Sequence, residues 1–382
     1  MDEVWANRAA KAEAGVTSRH LKPLWLLPAT QLGVAAWPAV RRDRLFGHWH
    51  YWWQAHLLDC LTDAQLRDPK PERRTRIGRQ IRSHRLRNSG RWTNDYYDDM
   101  AWLALALERA SRVVGVELRR ALNTLTDQLV KAWVPEDGGG IPWRKQDQFF
   151  NAPANGPAGI FLARYGDRLR RARQMADWID ATLIDPETHL VFDGIKDGIK
   201  AGSLVRAQYT YCQGVVLGLE TELAARSEPD ARERHAARVH RLVAAVDEHM
   251  APAGVLRGAG GGDGGLFTGI TARYLALVAT TLPGDSAADG AARETASELV
   301  LSSAQAAWDN RQSVQGLPLF GPFWDRSAEL PTAAAKPAEF VEGGVIGSEV
   351  PERDLSVQLS GWMLMEAAYA VTRKSNAHVS RR

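Results

Sequence analysis

Residues 100–107 carry no polar side chain at any i+3 or i+4 position. A helix that is apolar on every side lies inside a protein, not on its surface. Five more segments share this character: 48–61, 158–164, 213–223, 266–279 and 354–370. With 98–107 they make six, and the first five begin roughly 50 to 60 residues apart, about two helices and two loops. Between them run segments with apolar residues at helical spacing and charges on the other faces: 111–133, 167–183, 230–250 and 289–308. Pro229 ahead of Asp230 is a helix start signal. Strand signals are scarce.

Six all-round apolar helices are buried most compactly as an inner ring sheathed by an outer one. The pattern predicts an all-α chain, an (α/α)6 toroid of six inner and about six outer helices. It reads as one domain over 1–382, with about 20 residues loose at the N-terminus and about 10 at the C-terminus. If the inner helices run parallel, the loops before them gather at one end: 92–95, 138–143, 192–211, 258–267 and 320–354. Loops on a rigid scaffold carry function, so that end should bear a cleft.

Asp98 and Asp99 stand at the mouth of the second apolar segment, flanked by Tyr96, Tyr97 and Trp102 and preceded by Asn94 and Asp95. Aspartates in a first helical turn suit the helix terminus. One would suffice for that, and a cluster beside a core also fits catalysis. Both readings stand on these residues. Two close carboxylates raise one pKa, which keeps one protonated while the other stays ionised. Adjacent Cα atoms lie about 3.8 Å apart, so carboxyls can reach the roughly 5 Å of a retaining glycosidase more readily than the roughly 6.5–9.5 Å of an inverting one.

Composition narrows the partners. Fourteen tryptophans are many, and the flat faces of sugar rings suit indole, although much of this set will be core. A net charge of +3 implies no global electrostatic partner. Two cysteines, Cys60 and Cys212, build neither a disulfide framework nor a zinc cluster. His48 and His50 flank Trp49 without a third metal ligand in reach, so neither metal nor cofactor is expected. The basic stretch 67–91 reads as a solvated outer helix, not a nucleic-acid or anionic-lipid patch, because no aromatic interleaves its arginines. Residues 24–40 are apolar but broken by Pro28 and Gln31. They are too short for a membrane span and read as buried loop or helix. The start at Met1, Asp2 and Glu3 has no basic leader region. The chain as given is expected in the cytoplasm, or outside the cell if a leader has been removed.

The motifs Tyr96-Tyr97-Asp98-Asp99-Met100-Ala101-Trp102, Gly138-Gly139-Gly140-Ile141-Pro142-Trp143, Leu183-Ile184-Asp185, Asn155-Gly156-Pro157-Ala158 and Thr210-Tyr211-Cys212-Gln213-Gly214-Val215-Val216 resemble those of glycoside hydrolase family 76. That family comprises endo-α-1,6-mannanases and fungal cell-wall relatives. The resemblance runs from about Trp49 to Ala370 and departs at Cys212, where Asn is expected. It implies the toroid and a retaining mechanism, with Asp98 as nucleophile and Asp99 as general acid/base. The implied activity is endo-hydrolysis of α-1,6-mannan or mannooligosaccharides. Transglycosylation onto a cell-wall mannan or glycolipid, or a catalytically inactive carbohydrate-binding protein, are the alternatives. Trp143 and Trp324 are candidate stacking platforms. Asn94, Asp95, Tyr96, Asn155, Tyr209 and Gln213 are candidate sugar contacts. No nucleic-acid partner and no membrane span are expected.

Overall fold

The computed structural model describes residues 2–135, 138–198 and 202–379, with the side chains of 375–379 left aside. Thirteen α-helices lie among the described residues. They are α1 (Asp2–His20), the short α2 (Arg41–Arg44), α3 (Tyr51–Arg67), α4 (Pro71–Arg87), α5 (Tyr97–Val114), α6 (Arg119–Lys131), α7 (Ala152–Arg164), α8 (Leu169–Thr182), α9 (Thr210–Arg226), α10 (Pro229–Met250), α11 (Gly264–Thr281), α12 (Ala287–Asp309) and α13 (Leu355–Val379).

The odd-numbered helices from α3 to α13 each touch the next, and α13 returns to α3, so the inner ring closes. Outside it, α4 covers α3 and α5, α6 covers α5, and α8 covers α7 and α9. Helix α10 packs on α9, α12 on α11 and α13, and α1 on α13 and α3. This is the (α/α)6 toroid that the hydrophobic pattern predicts. Where inner helices approach closely, small residues make the room. A Cβ on Gly214 would come within 2.8 Å of Thr271 Cα, and one on Gly218 within 2.4 Å of the Tyr274 ring. Those two glycines, four apart on one face of α9, set its closeness to α11.

Two expectations are corrected. The first 20 residues are not loose. Trp5, Ala9, Ala12 and Val16 of α1 are buried at helical spacing, and Glu13 pairs with Arg67 at 2.8 Å and Arg73 at 2.7 Å. This segment is the sixth outer helix. Residues 111–133 are not one helix either: Gly115 takes the left-handed conformation (φ 70°) and ends α5. Of the C-terminal stretch expected to be loose, residues 373–379 belong to α13 and 380–382 lie outside the described residues.

Among the described residues, strands are confined to short two- and three-stranded sets. Phe150–Asn151, Gly194–Lys196 and Ser203–Val205 form one antiparallel set, and Glu339–Val341 pairs with Gly344–Ile346. At the end of the ring where the inner helices finish, Arg109 and Arg273 bridge Asp59 and Asp63. That cross-braces α3, α5 and α11. The other end is open.

Candidate active site

A cleft of about 690 Å³ lies at the end of the ring where the inner helices begin. Its floor comes from the first turns of α3, α5, α9 and α11, and the hairpin 339–346 walls one side. Asp98 and Asp99 occupy the first turn of α5 and line this cleft.

Their surroundings differ. Asp98 Oδ1 accepts the backbone N–H of Asp99 at 2.8 Å, and its Oδ2 accepts the indole N–H of Trp143 at 2.9 Å. Both bonds favour the carboxylate. Asp99 Oδ2 accepts the side-chain amide of Asn94 at 2.5 Å, while Asn94 Oδ1 takes the N–H of Tyr96 at 3.0 Å. Burial pushes the Asp98 carboxyl up to about 7 against these donors. Burial and the neighbouring Asp98 charge push Asp99 well above the carboxylate range. The pair therefore holds one proton near neutrality, and the charge sits on Asp98, which has the more hydrogen-bond donors. Helix capping accounts for the bond from Asp99 N–H to Asp98, but for nothing that Asp99 does.

The structure sorts the remaining candidates. Tyr96 and Tyr209 line the cleft, and Tyr209 is 41% exposed. Trp143 lines it too, but as a braced ring: Tyr96 meets it edge-on with centroids 5.3 Å apart, and Gly343 of the hairpin presses on its far edge. Asn94 faces Asp99 directly. Asp95 is not in the cleft; it is exposed and its side chain lies 3.6 Å from Lys145 Nζ.

Asn155, Gln213 and Trp324 are also outside it. Asn155 is fully buried, accepts the Ile141 N–H at 2.8 Å, and donates to the carbonyls of Ile141 and Asn151 at 2.9 Å each. Gln213 likewise brackets both backbone groups of Val191 and reaches Tyr209 O. These amides pin cleft loops from behind. Trp324 is buried in the hydrophobic core, and its carbonyl accepts from the Asn310 side chain.

Two aspartates of the cleft were missed in the sequence. Asp263 Oδ1 accepts the indole N–H groups of both Trp52 and Trp53, at 2.9 and 2.8 Å. Its Oδ2 takes the Val345 N–H at 2.7 Å, which ties the hairpin to the floor. Burial raises its pKa, and its charge opposes ionisation of both Asp98 and Asp99. A lone Asp inside a glycine run was the available signal. Asp193 also lines the cleft, its carboxyl pushed up to about 6 by burial. Buried Cys212 approaches it at 3.9 Å, so the departure from Asn falls beside a cleft carboxylate. His50 lines the cleft and is held neutral by burial, its pKa lowered to about 3. No group of three metal-ligating side chains occurs among the described residues.

The model of glycosyl hydrolase family 76 matches residues 8–341. The chain belongs to glycosyl hydrolase family 76. Among solved structures it is similar to the GH76A α-1,6-mannanase of Salegentibacter sp. HEL1_6, at 27% identity over 95% of this chain and 98% of that one, with a TM-score of 0.77. It is also similar to a variant of that enzyme with two consecutive aspartates replaced, described as inactive and in complex with α-1,6-mannotetrose. That match has 26% identity over 96% and 99% of the two chains and a TM-score of 0.78. A Listeria innocua protein shares the fold at 24% identity over 98% of each chain, with a TM-score of 0.77. No curated protein matches the chain. The family establishes a glycoside hydrolase.

Proposed function

We propose that this family 76 member is a retaining, endo-acting hydrolase of α-1,6-linked mannan and mannooligosaccharides. The observation that carries the reading is the unequal setting of two adjacent carboxylates. Asp98 has two donors and Asp99 has one, and the pair keeps a proton near neutral pH. Asp98–Asp99 is also the only consecutive aspartate pair in the chain, and replacement of such a pair accompanies inactivity in the Salegentibacter relative.

In this reading Asp98 attacks the anomeric carbon while Asp99 gives its proton to the departing glycosidic oxygen. The mannosyl–Asp98 ester forms as the glycosidic bond breaks. Asp99, now ionised, takes a proton from water, whose oxygen displaces Asp98 and restores the original anomer. Trp143 and the Asp99 N–H hold the nucleophile charged. Asn94 holds the acid in place. A neighbouring cavity of about 650 Å³ shares Tyr96, Trp143 and Phe149 with the cleft, giving room for a chain to run past the carboxylates as an endo mode requires.

Incubation with α-1,6-mannooligosaccharides tests this, with product length read by mass and the first-formed anomer by NMR. Internal cleavage with an α first product supports it. Release of single terminal mannoses would overturn the endo mode, a β first product would overturn retention, and products longer than the substrate would mark transglycosylation.

A further inference from the structure

A patch of outward-facing apolar side chains sits beside the arginine-rich helix α4, and we propose that it docks the protein on a membrane surface bearing anionic lipid headgroups. Leu26 is 89% exposed, Leu45 58%, Trp25 48% and Leu27 43%. They form one surface. The Trp25 indole N–H donates to Leu45 O at 3.0 Å, and the Arg87 guanidinium lies 6.0 Å over the Trp25 ring while donating to Phe46 O. The loop is built, not trailing. Leu24, Leu32, Val34 and Phe46 form a small buried cluster beneath it. Thr30 Oγ1 accepts the Leu24 N–H and donates to Leu27 O, and Ser83 of α4 accepts the Gln31 N–H at 2.7 Å.

The backbone works to present these side chains. Trp25 and Leu26 adopt φ of 49° and 61°, a region costly for residues of their size. Residues 24–40 were expected to be buried; 32–36 are, but 25–29 near the start of the apolar run are turned to solvent. Folding alone gives no reason for that arrangement.

The charge around the patch selects the partner. Between Glu13 and Asp59 the only acidic residue is Asp43, which is buried and bonded to the Val40 N–H. From Arg73 to Asn94 there is none. Exposed Arg41 and Arg44 precede Leu45, and exposed Arg79 and Arg82 share a face of α4 with Leu86. Among the described residues none of these four arginines is in an ion pair. The basic stretch by itself lacked an interleaved aromatic; the fold supplies Trp25 from a distant segment. Trp and Leu entering the headgroup boundary, ringed by arginines, match an anionic bilayer surface. No described helix is long and apolar enough to cross a membrane, so the contact is peripheral.

The same segment leads to the cleft: Arg42 contacts His48, and His50 lines the cleft wall. Docking would present the cleft to mannan carried on lipid. That last step rests on the α-mannan reading; the lipid contact does not.

The test is co-sedimentation of the full chain with vesicles of phosphatidylcholine alone and of phosphatidylcholine mixed with phosphatidylglycerol. Binding should require phosphatidylglycerol and weaken with salt. Leu26→Asp, and separately the double variant Arg41→Glu/Arg44→Glu, should each reduce it about tenfold or more. Melting temperature and hydrolysis of soluble mannooligosaccharides should stay as in the wild type. Failure of the wild type to bind anionic vesicles, or equal binding by both variants, would overturn the proposal. So would a dimer in solution that Leu26→Asp splits, since a second copy would then own the patch. Lipid binding without mannan hydrolysis would leave the docking intact and remove the substrate reading.

Discussion

Trp143 donates its indole N–H to Asp98 Oδ2 across 2.9 Å. The ring expected to stack on sugar is thus also a clamp on one carboxylate, and Gly343 pressing on its edge joins that clamp to the hairpin wall. Trp143→Phe keeps a ring and deletes the donor. The ionised form of Asp98 loses support, so its pKa rises and less nucleophile is available at a given pH. The acidic limb of kcat/KM against pH should move up by about one unit, the scale of a hydrogen bond to a charged group. A lower kcat/KM with the limb unmoved would make Trp143 a substrate contact only.

In the wild type, that profile should be bell-shaped. Activity needs the singly protonated pair, so it should rise as the pair loses its first proton, near the value of about 7 for Asp98. It should fall at a second step well above the carboxylate range, when Asp99 loses its proton. A plateau extending down to about pH 4, the range of ordinary carboxyls, would show that neither aspartate is shifted.

The same shifts carry a stability signature. Both folded-state pKa values lie above those of the unfolded chain, so the folded state keeps protons that the unfolded one releases. Stability from these groups is present at low pH and is lost as pH rises through the folded-state values. Asp99→Asn removes one ionisation and one repulsion. Its melting temperature, by calorimetry, should exceed that of the wild type increasingly as pH rises above about 7. A difference that shrinks over that range would contradict the buried, charge-coupled pair.

Much of this architecture was legible because burial leaves a period in the sequence. The all-apolar run from Met100 to Leu107 could only be an inner helix. The N-terminal helix was missed because Trp5, Ala9, Ala12 and Val16 form a narrow, mostly small-residue stripe in a polar segment. The Asp98–Asp99 pair was legible as two acids against a core. The roles of Asn155 and Gln213 were not, because an amide that closes a backbone loop and one that meets a sugar hydroxyl look identical in sequence. Asp263 escaped because its partners Trp52, Trp53 and Val345 come from elements far away in the chain.

Asn155 offers a direct contrast with the cleft residues. Asn155→Ala would strand the Ile141 N–H and two carbonyls in a buried site. The expected loss is about 2–4 kcal/mol of stability, read as a lower melting temperature. KM of the protein that remains folded should stay near the wild-type value. A raised KM with unchanged melting would return Asn155 to the sugar-binding set.

The division of labour between Asp98 and Asp99 is tested most directly with an aryl α-mannoside that has an activated leaving group, with and without azide. Such a leaving group departs without a proton, so Asp99→Asn should still form the mannosyl–Asp98 ester. Azide should then replace the base-activated water and speed the second step, giving an α-mannosyl azide identifiable by NMR. Asp98→Asn, with no charged nucleophile, should stay inactive under the same conditions. Azide rescue of Asp98→Asn but not of Asp99→Asn, or a β-mannosyl azide from Asp99→Asn, would contradict the assignment.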